Sequence, residues 1–540
     1  MTVSTLEQRA RETLDEAISV DDVRATDSEG KPRKQSDILL DIGKCHDLFH
    51  APDGTAYARD GLAVHAIESG DYRNVLAERF YAITGKGANR NSIADAITTL
   101  CSIAKFRGDK RDVWLRTARS DAGLVLDMGR ADHRVIEVGA DGWRWSNTPL
   151  MFRRTAGMGE LPGPKEPDFA RLWDHINITK EHRPLVAGWL LAAWRPGAPC
   201  PIVFLSGEQG TGKSTAARML RSLVDPSAIP LRAPPKELRD LLVGARNGWV
   251  LTLDNLSAIN PQLSDALCRV ATGGAISERT LYTNTDETLV EVQRPVICNG
   301  IEDLASRPDL AERGLHVELE VIQHRRTESE LWRGFNADAP HIFAAILSGL
   351  VAAIRDHESI NIGNPPRMAD FAKWAAAGVG ELGFTAKDFI EAYRVNLDAG
   401  MGGGIEGSPI GVVLLGFIRN RRAWEGTAAA LLAALASAAD DAVTRSQAWP
   451  RSPRGLSGTL RRLAPALRLQ GVEIEQDRSA TARTIRLSCK ARNQPSQPSQ
   501  PSFSGAGNDA NDRHDGQNPA LHDDCPACGG EGCDWCGGEQ

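Results

Sequence analysis

The chain has 540 residues, 41% of them hydrophobic and 25% charged, and carries a formal net charge of −7 at pH 7. That length exceeds what one hydrophobic core organises, and the composition excludes a collagen-like or wholly disordered chain, so a multidomain globular protein is expected. Apolar runs such as PLVAGWLLAAW from Pro184 are too short to span a bilayer, the first residues mix both charge signs without an apolar signal core, and a cytoplasmic protein without membrane segments is expected.

Residues 1–36 read as an N-terminal arm, polar and helix-like to about residue 24, with TDSEGKPRKQSD as a hinge. Residues 37–160 read as an α+β domain. DYRNVLAERFYAITG and SIADAITTLCSIA have helical periodicity, while VWLRTA, GLVLDMG, RVIEVG and WRWS are short, turn-separated runs that predict an antiparallel sheet. LPGPKEP, at Leu161–Pro167, punctuates the chain before the next unit, and nothing ahead of it has a primase catalytic signature.

From about 168 to 345 the strand-like runs PIVFL, WVLTLD, RPVICN and LHVEL alternate with helical stretches, which predicts a parallel sheet wrapped by helices. Straight after the first run, Gly207, Glu208, Gln209, Gly210, Thr211, Gly212, Lys213, Ser214 and Thr215 spell GEQGTGKST. The match to G-x-x-x-x-G-K-[ST] comes with the preceding strand and following helix the motif requires, so ATP binding is expected here. The glycines let backbone amides face phosphates, the helix N-terminus adds its dipole, Lys213 meets the β/γ oxygens, and Ser214 ligates Mg2+. WVLTLD ends at Asp254, placed to hold the magnesium hydration shell. Asn255 follows; an amide can orient water but cannot take its proton, which leaves the hydrolytic base open. Asn299 ends the third run, where a polar side chain would sit between the other two strand ends, near the γ-phosphate. RPDLAERG then sets Arg307 and Arg313 around a short helix ahead of the fourth strand, with Arg313 the first candidate for a transition-state arginine and a pair with a surface acid the plain alternative.

The set GEQGTGKS, LDNLS, ATGGAISERTLYTNTDE and RPVICNGIEDLASRPDLAERG resembles the AAA+ ATPase of superfamily III helicases and of phage- and poxvirus-type primase-helicases, over about Cys45 to Lys490 and most specifically over 201–319. The resemblance implies a P-loop ATPase in a homo-hexameric ring that translocates on single-stranded DNA. Lys213, Ser214, Asp254 and Asn299 would serve the nucleotide, and Arg313 would reach a neighbouring subunit's γ-phosphate. Asn255 departs from the acid many members carry there, which points to slower hydrolysis. Ala271–Val292 resembles the family's channel hairpin, in which Arg279 would contact phosphate and Tyr282 would stack on a base, whereas an ordinary surface hairpin remains the alternative because Glu278, Asp286 and Glu287 dilute the charge.

Residues 346–407 read as a helical connector ending in a flexible joint, GMGGGIEG, and 408–490 as a further compact unit. Arg445 to Arg492 hold eleven Lys/Arg against three Asp/Glu, a basic block on an acidic chain. WEGTAAALLAALASAA predicts one helix, and leucines at 456, 460, 463 and 467 predict a second, bent or split at Pro465, with Arg461, Arg462 and Arg468 off its apolar face. VEIEQ and ARTIRLS, joined by DRSAT, complete a winged-helix pattern in which Arg454, Arg461, Arg462 and Arg468 would contact duplex phosphates; a protein-docking module is the alternative.

Residues 491–524 read as a disordered linker built on PSQPSQPS. Cys525, Cys528, Cys533 and Cys536 then form C-x2-C-x4-C-x2-C, a spacing that suits a zinc knuckle (Zn2+) over a redox pair or an iron–sulfur cluster; the six other cysteines read as idle thiols. The pattern as a whole points to an ATP-driven DNA motor, a replicative helicase or primase-helicase subunit of a phage, prophage or plasmid, whose N-terminal domain either docks a separate primase or replication protein or supports the ring. An ATP-switched DNA-binding scaffold is the alternative, and a small-molecule phosphotransferase ranks third.

Overall fold

Two of the three N-terminal helices begin where the sequence supplies caps. In the computed structural model, which describes residues 23–279, 287–300, 304, 307–406, 408–446, 449–478 and 483–489, helix α1 (Gln35–Lys44) leads into an antiparallel sheet of β1 (Asp47–His50), β2 (Ala56–Asp60) and β3 (Ala63–Ala66). Helix α2 (Gly70–Thr84) starts at Ser69, whose hydroxyl accepts from the Tyr72 amide, and ends at Gly85, where φ of 64° is left-handed. Asn89 caps α3 (Arg90–Phe106) in the same way. Ile38, Leu39, Leu76, Phe80 and Leu100 bury the apolar faces of the three helices together.

Strand β4 (Val113–Trp114) pairs with β9 (Met151–Phe152). Between them β5 (Thr117–Ser120), β6 (Gly123–Asp127), β7 (Val135–Gly139) and β8 (Gly142–Ser146) form the expected antiparallel meander in sequential order. Its inner residues Leu124, Leu126, Ile136 and Val138 share one core with Trp189 of α4 (Arg183–Ala192), so apolar packing continues across the LPGPKEP punctuation, where Leu161 itself is buried.

The central sheet holds β10 (Ile202–Ser206), α5 (Lys213–Ser222), α6 (Leu238–Asn247), β11 (Leu251–Leu256), α7 (Pro261–Thr272), a hairpin of β12 (Ala275–Arg279) and β13 (Glu287–Glu291), β14 (Val296–Gly300), α8 (Pro308–Ala311) and β15 (Gly314–Glu318). The sheet order is β11-β14-β10-β15 and every pairing is parallel. The four strands are the four apolar runs read from the sequence; their unbroken hydrophobicity follows from cover on both faces.

Helix α9 (Glu328–Asp356) opens with a capping box between Thr327 and Glu330 and runs straight through residue 345, where the sequence suggested a boundary. It is long and apolar enough to cross a bilayer, but Phe335, Ile342, Phe343, Ile346 and Leu350 are buried in the central core. Helices α10 (Ala369–Gly378) and α11 (Ala386–Glu406) follow. Residues 400–406, expected as a flexible joint, belong to α11. A Cβ at Gly400 would collide with the His316 ring, so this glycine lets the helix approach β15 closely.

The C-terminal unit comprises α12 (Pro409–Arg421), β16 (Ala423–Thr427), α13 (Ala428–Ala438), α14 (Asp441–Arg445), α15 (Pro453–Leu469), β17 (Val472–Arg478) and β18 (Arg483–Cys489), with its three strands in the order β16-β18-β17. Two expectations need correction. WEGT is a strand rather than the start of a helix: it pairs with β18, and the Thr427 hydroxyl then caps α13 by accepting from the Ala430 amide. Helix α15 also continues through Pro465 without a break, held by the burial of Leu456, Leu460, Leu463 and Leu467. The terminal arm to residue 22, the linker and the four-cysteine cluster lie outside the described residues.

A phosphate-type loop and its acid–amide cluster

The glycine loop links the end of β10 to the start of α5. Gly207, Gly210 and Gly212 have φ of 138°, 86° and 81°, conformations that side chains rarely adopt. A Cβ at Gly207 would also lie 2.8 Å from the Leu319 carbonyl oxygen, so glycine is required there twice over. Thr211 is buried, and its hydroxyl donates to the Glu208 carbonyl at 2.9 Å, closing the curl. The Lys213 ammonium folds back over the loop and donates to the carbonyls of Gly207 (2.7 Å) and Glu208 (2.8 Å). Partial burial draws its pKa below the ordinary lysine value.

Three strand ends converge beside this loop because β14 lies between β11 and β10. Ser214 Oγ donates to Asp254 Oδ1 at 2.7 Å, and Asn299 Nδ2 donates to the same oxygen at 2.5 Å. Asn299, 2% exposed, also accepts the Asn255 backbone N–H on its Oδ1 at 2.6 Å. The three residues read separately from the sequence are thus one hydrogen-bonded cluster, and Asn299 occupies the position expected of it between the other two strand ends. Ser214 and Asp254 offer the hard oxygens that a magnesium ion takes.

Asn255 enters the cluster through its backbone. A register shift between Leu253 and Leu256 bulges β11, and Asn255 sits on that bulge with φ of 57° and an exposed side chain. Its backbone, rather than its amide group, joins the cluster. Asparagine tolerates the left-handed region better than most residues.

Arg313 lies at the opposite, amino-terminal end of the strands. Its carbonyl accepts from the amide of Ile202, the first residue of β10, whereas the glycine loop follows the last; at about 3.3 Å per residue the two are roughly 16 Å apart. The chain therefore does not bring Arg313 to its own Lys213. Arg313 donates to the Asp309 carbonyl and, among the described residues, pairs with no carboxylate, while Arg307 is held by Asp265 at 2.9 Å. The backbone of the hairpin pairs Arg279 with Glu287; Tyr282 lies outside the described residues. Arg454, Arg461 and Arg468 are exposed on α15, and the side chain of Arg462 is outside the described set.

Two residues at the loop were missed in the sequence. The segment after β15 is pinned by Leu319 N–H to the Ser206 carbonyl and Glu320 N–H to the Asn177 carbonyl, and Asn177 Nδ2 donates back to Glu320. It carries Arg325 over the loop: a Cβ at Gly210 would meet its guanidinium at 3.2 Å. The basic run HRR at 324–326 was the available signal, but only the return of the chain across the loop gives it meaning.

A mixed α/β fold with a parallel sheet, a glycine loop at the carboxyl ends of its strands and a Ser–Asp–Asn cluster beside that loop defines the class. Residues 170–401 match the family model "Actinomycete integrative conjugative element replication protein", and residues 410–502 match the model of the "AICE RepA C-terminal domain". No curated protein matches the chain significantly. Among solved structures, the chain is similar to one titled "SCCmec type IV Cch - active helicase", at 12% identity and TM-score 0.43, covering 82% of this chain and 92% of that one. It is also similar to "The apo structure of NrS-1 C terminal region (305-718)", at 11% identity and TM-score 0.35, covering 85% and 98%.

Proposed function

We propose that this chain is an ATP-hydrolysing DNA-binding motor in the replication of a mobile genetic element, acting as a replicative helicase or primase-helicase subunit. The observation that carries the reading is the convergence of Ser214, Asp254 and Asn299 beside a loop whose three glycines have positive φ, a backbone form suited to cradling phosphate. The match to a family of replication proteins of integrative conjugative elements supports the biological setting.

In this reading the loop amides and Lys213 bind the β- and γ-phosphates, and Lys213 exchanges its two loop carbonyls for phosphate oxygens. Mg2+ bound by Ser214 and Asp254 would draw off charge building on the transferring phosphoryl group. Asn299 orients Asp254 and fixes the Asn255 backbone. The exposed amide of Asn255 orients water without accepting its proton, which favours slow turnover. Arg313 supplies its charge to the site of a neighbouring copy, so activity depends on assembly in a ring. The channel hairpin with Arg279 and Tyr282 grips single-stranded DNA, and α15 with Arg454, Arg461, Arg462 and Arg468 serves a winged-helix unit on duplex DNA. The four terminal cysteines hold zinc and recruit a partner such as a separate primase.

Mixing variants tests the shared site. Lys213→Ala and Arg313→Ala should each abolish ATP hydrolysis, whereas a mixture should recover part of it, because some interfaces then join an intact loop to an intact arginine. Full turnover by Arg313→Ala alone would remove that residue from the mechanism. DNA binding without any hydrolysis by the wild type would favour the switched scaffold, a reading that the amide at position 255 favours.

A further inference from the structure

A second cavity, of about 340 Å3, lies away from the glycine loop, between the β3–α2 region, the stretch after β9 and the end of α5. Its size is in the range of small-ligand sites. Four arginines line it, Arg153, Arg154, Arg221 and Arg232, against a single carboxylate among its described lining residues, the exposed Asp71.

Two of the four are committed to the fold. Arg154 pairs with Asp127 at 2.6 Å, and Arg221 is held by Asp225 and by the carbonyls of Ile229 and Pro230. The other two are not neutralised. Arg153 donates to the Arg246 carbonyl and the Asn247 side chain but meets no acid, and the half-buried Arg232 guanidinium has no hydrogen-bond or ion-pair partner among the described residues. Two guanidiniums without an acid partner thus line one pocket, where an anion with several oxygens would make charge-assisted bonds to them. The backbone of Arg232 is rigidly placed, since its N–H donates to the Thr252 carbonyl and its own carbonyl accepts from the Asp254 amide. We propose that this cavity is a second anion site that binds a phosphate-bearing small molecule of nucleotide size through Arg232 and Arg153. Through these two backbone bonds Arg232 is tied to the strand that carries Asp254, so an occupant held by Arg232 would bear on that strand.

The proposal stands apart from the glycine loop, and the test keeps the two separate. Full-length Lys213→Ala protein is titrated calorimetrically with inorganic pyrophosphate and, separately, with ADP. Binding should persist in this background, weaken by roughly tenfold or more on adding Arg232→Ala, and return in large part with Arg232→Lys, all at an unchanged thermal midpoint. Equal affinity for the two probes would mean that phosphates alone are read, and tighter ADP binding that the nucleoside is held too; both support the site. No binding of either probe to Lys213→Ala, or binding that Arg232→Ala leaves unchanged, would overturn it.

Discussion

Asn255 and Asn299 divide their work in a way their side chains alone do not reveal. Asn255 is chosen for its backbone: at φ of 57° a β-branched residue is strained by about 1–2 kcal/mol, whereas glycine is at ease. Asn255→Gly should therefore leave the denaturation midpoint close to wild type, while Asn255→Val should lower stability by about 1 kcal/mol or more. Asn299 is chosen for its amide. Replacing it with alanine strands the Asn255 N–H and frees Asp254, so Asn299→Ala should cost about 1–3 kcal/mol in chemical denaturation and lower kcat for ATP more than it raises KM. An Asn299→Ala protein with wild-type kcat would place the cluster outside the chemistry. At this scale the sequence was largely legible, because Lys213, Ser214, Asp254 and Asn299 each end or follow an apolar run. Arg325 and Arg232 were not, because their meaning depends on which loop crosses which strand.

Buried charge, rather than apolar area alone, ties the meander to the central sheet at the level of elements. Arg116, fully buried, donates to Asp225 Oδ1 and to the carbonyls of Asp127 and Gly159, while Asp225 also accepts from the amides of Trp249 and Val250. Removing one partner of a buried pair typically costs about 3–5 kcal/mol. Asp225 keeps Arg221 and two amides, so Arg116→Met should cost less, about 2–3 kcal/mol, read as a lower thermal midpoint. The parallel sheet and the meander were legible because their hydrophobic period is unambiguous. The strand at WEGT was not, since its partner among the described residues, β18, lies some sixty residues further on and supplies its hydrogen bonds from there. The helix through residues 400–406 was hidden for a related reason: Gly400, which reads as part of a joint, lets α11 close against His316.

A whole-molecule consequence follows from the separation of Arg313 and the glycine loop. If Arg313 is the transition-state arginine, its place at the amino ends of the strands leaves it to serve a neighbouring copy, and specific activity should then rise with protein concentration until the assembly saturates. The account's central claim is that the glycine loop holds ATP and that its hydrolysis is coupled to a DNA strand. The direct measurement is steady-state ATP hydrolysis by the full-length chain with and without single-stranded DNA, with Lys213→Ala as control. The account predicts turnover that the strand stimulates severalfold and that Lys213→Ala abolishes; turnover indifferent to single-stranded DNA, or undiminished in Lys213→Ala, would contradict it.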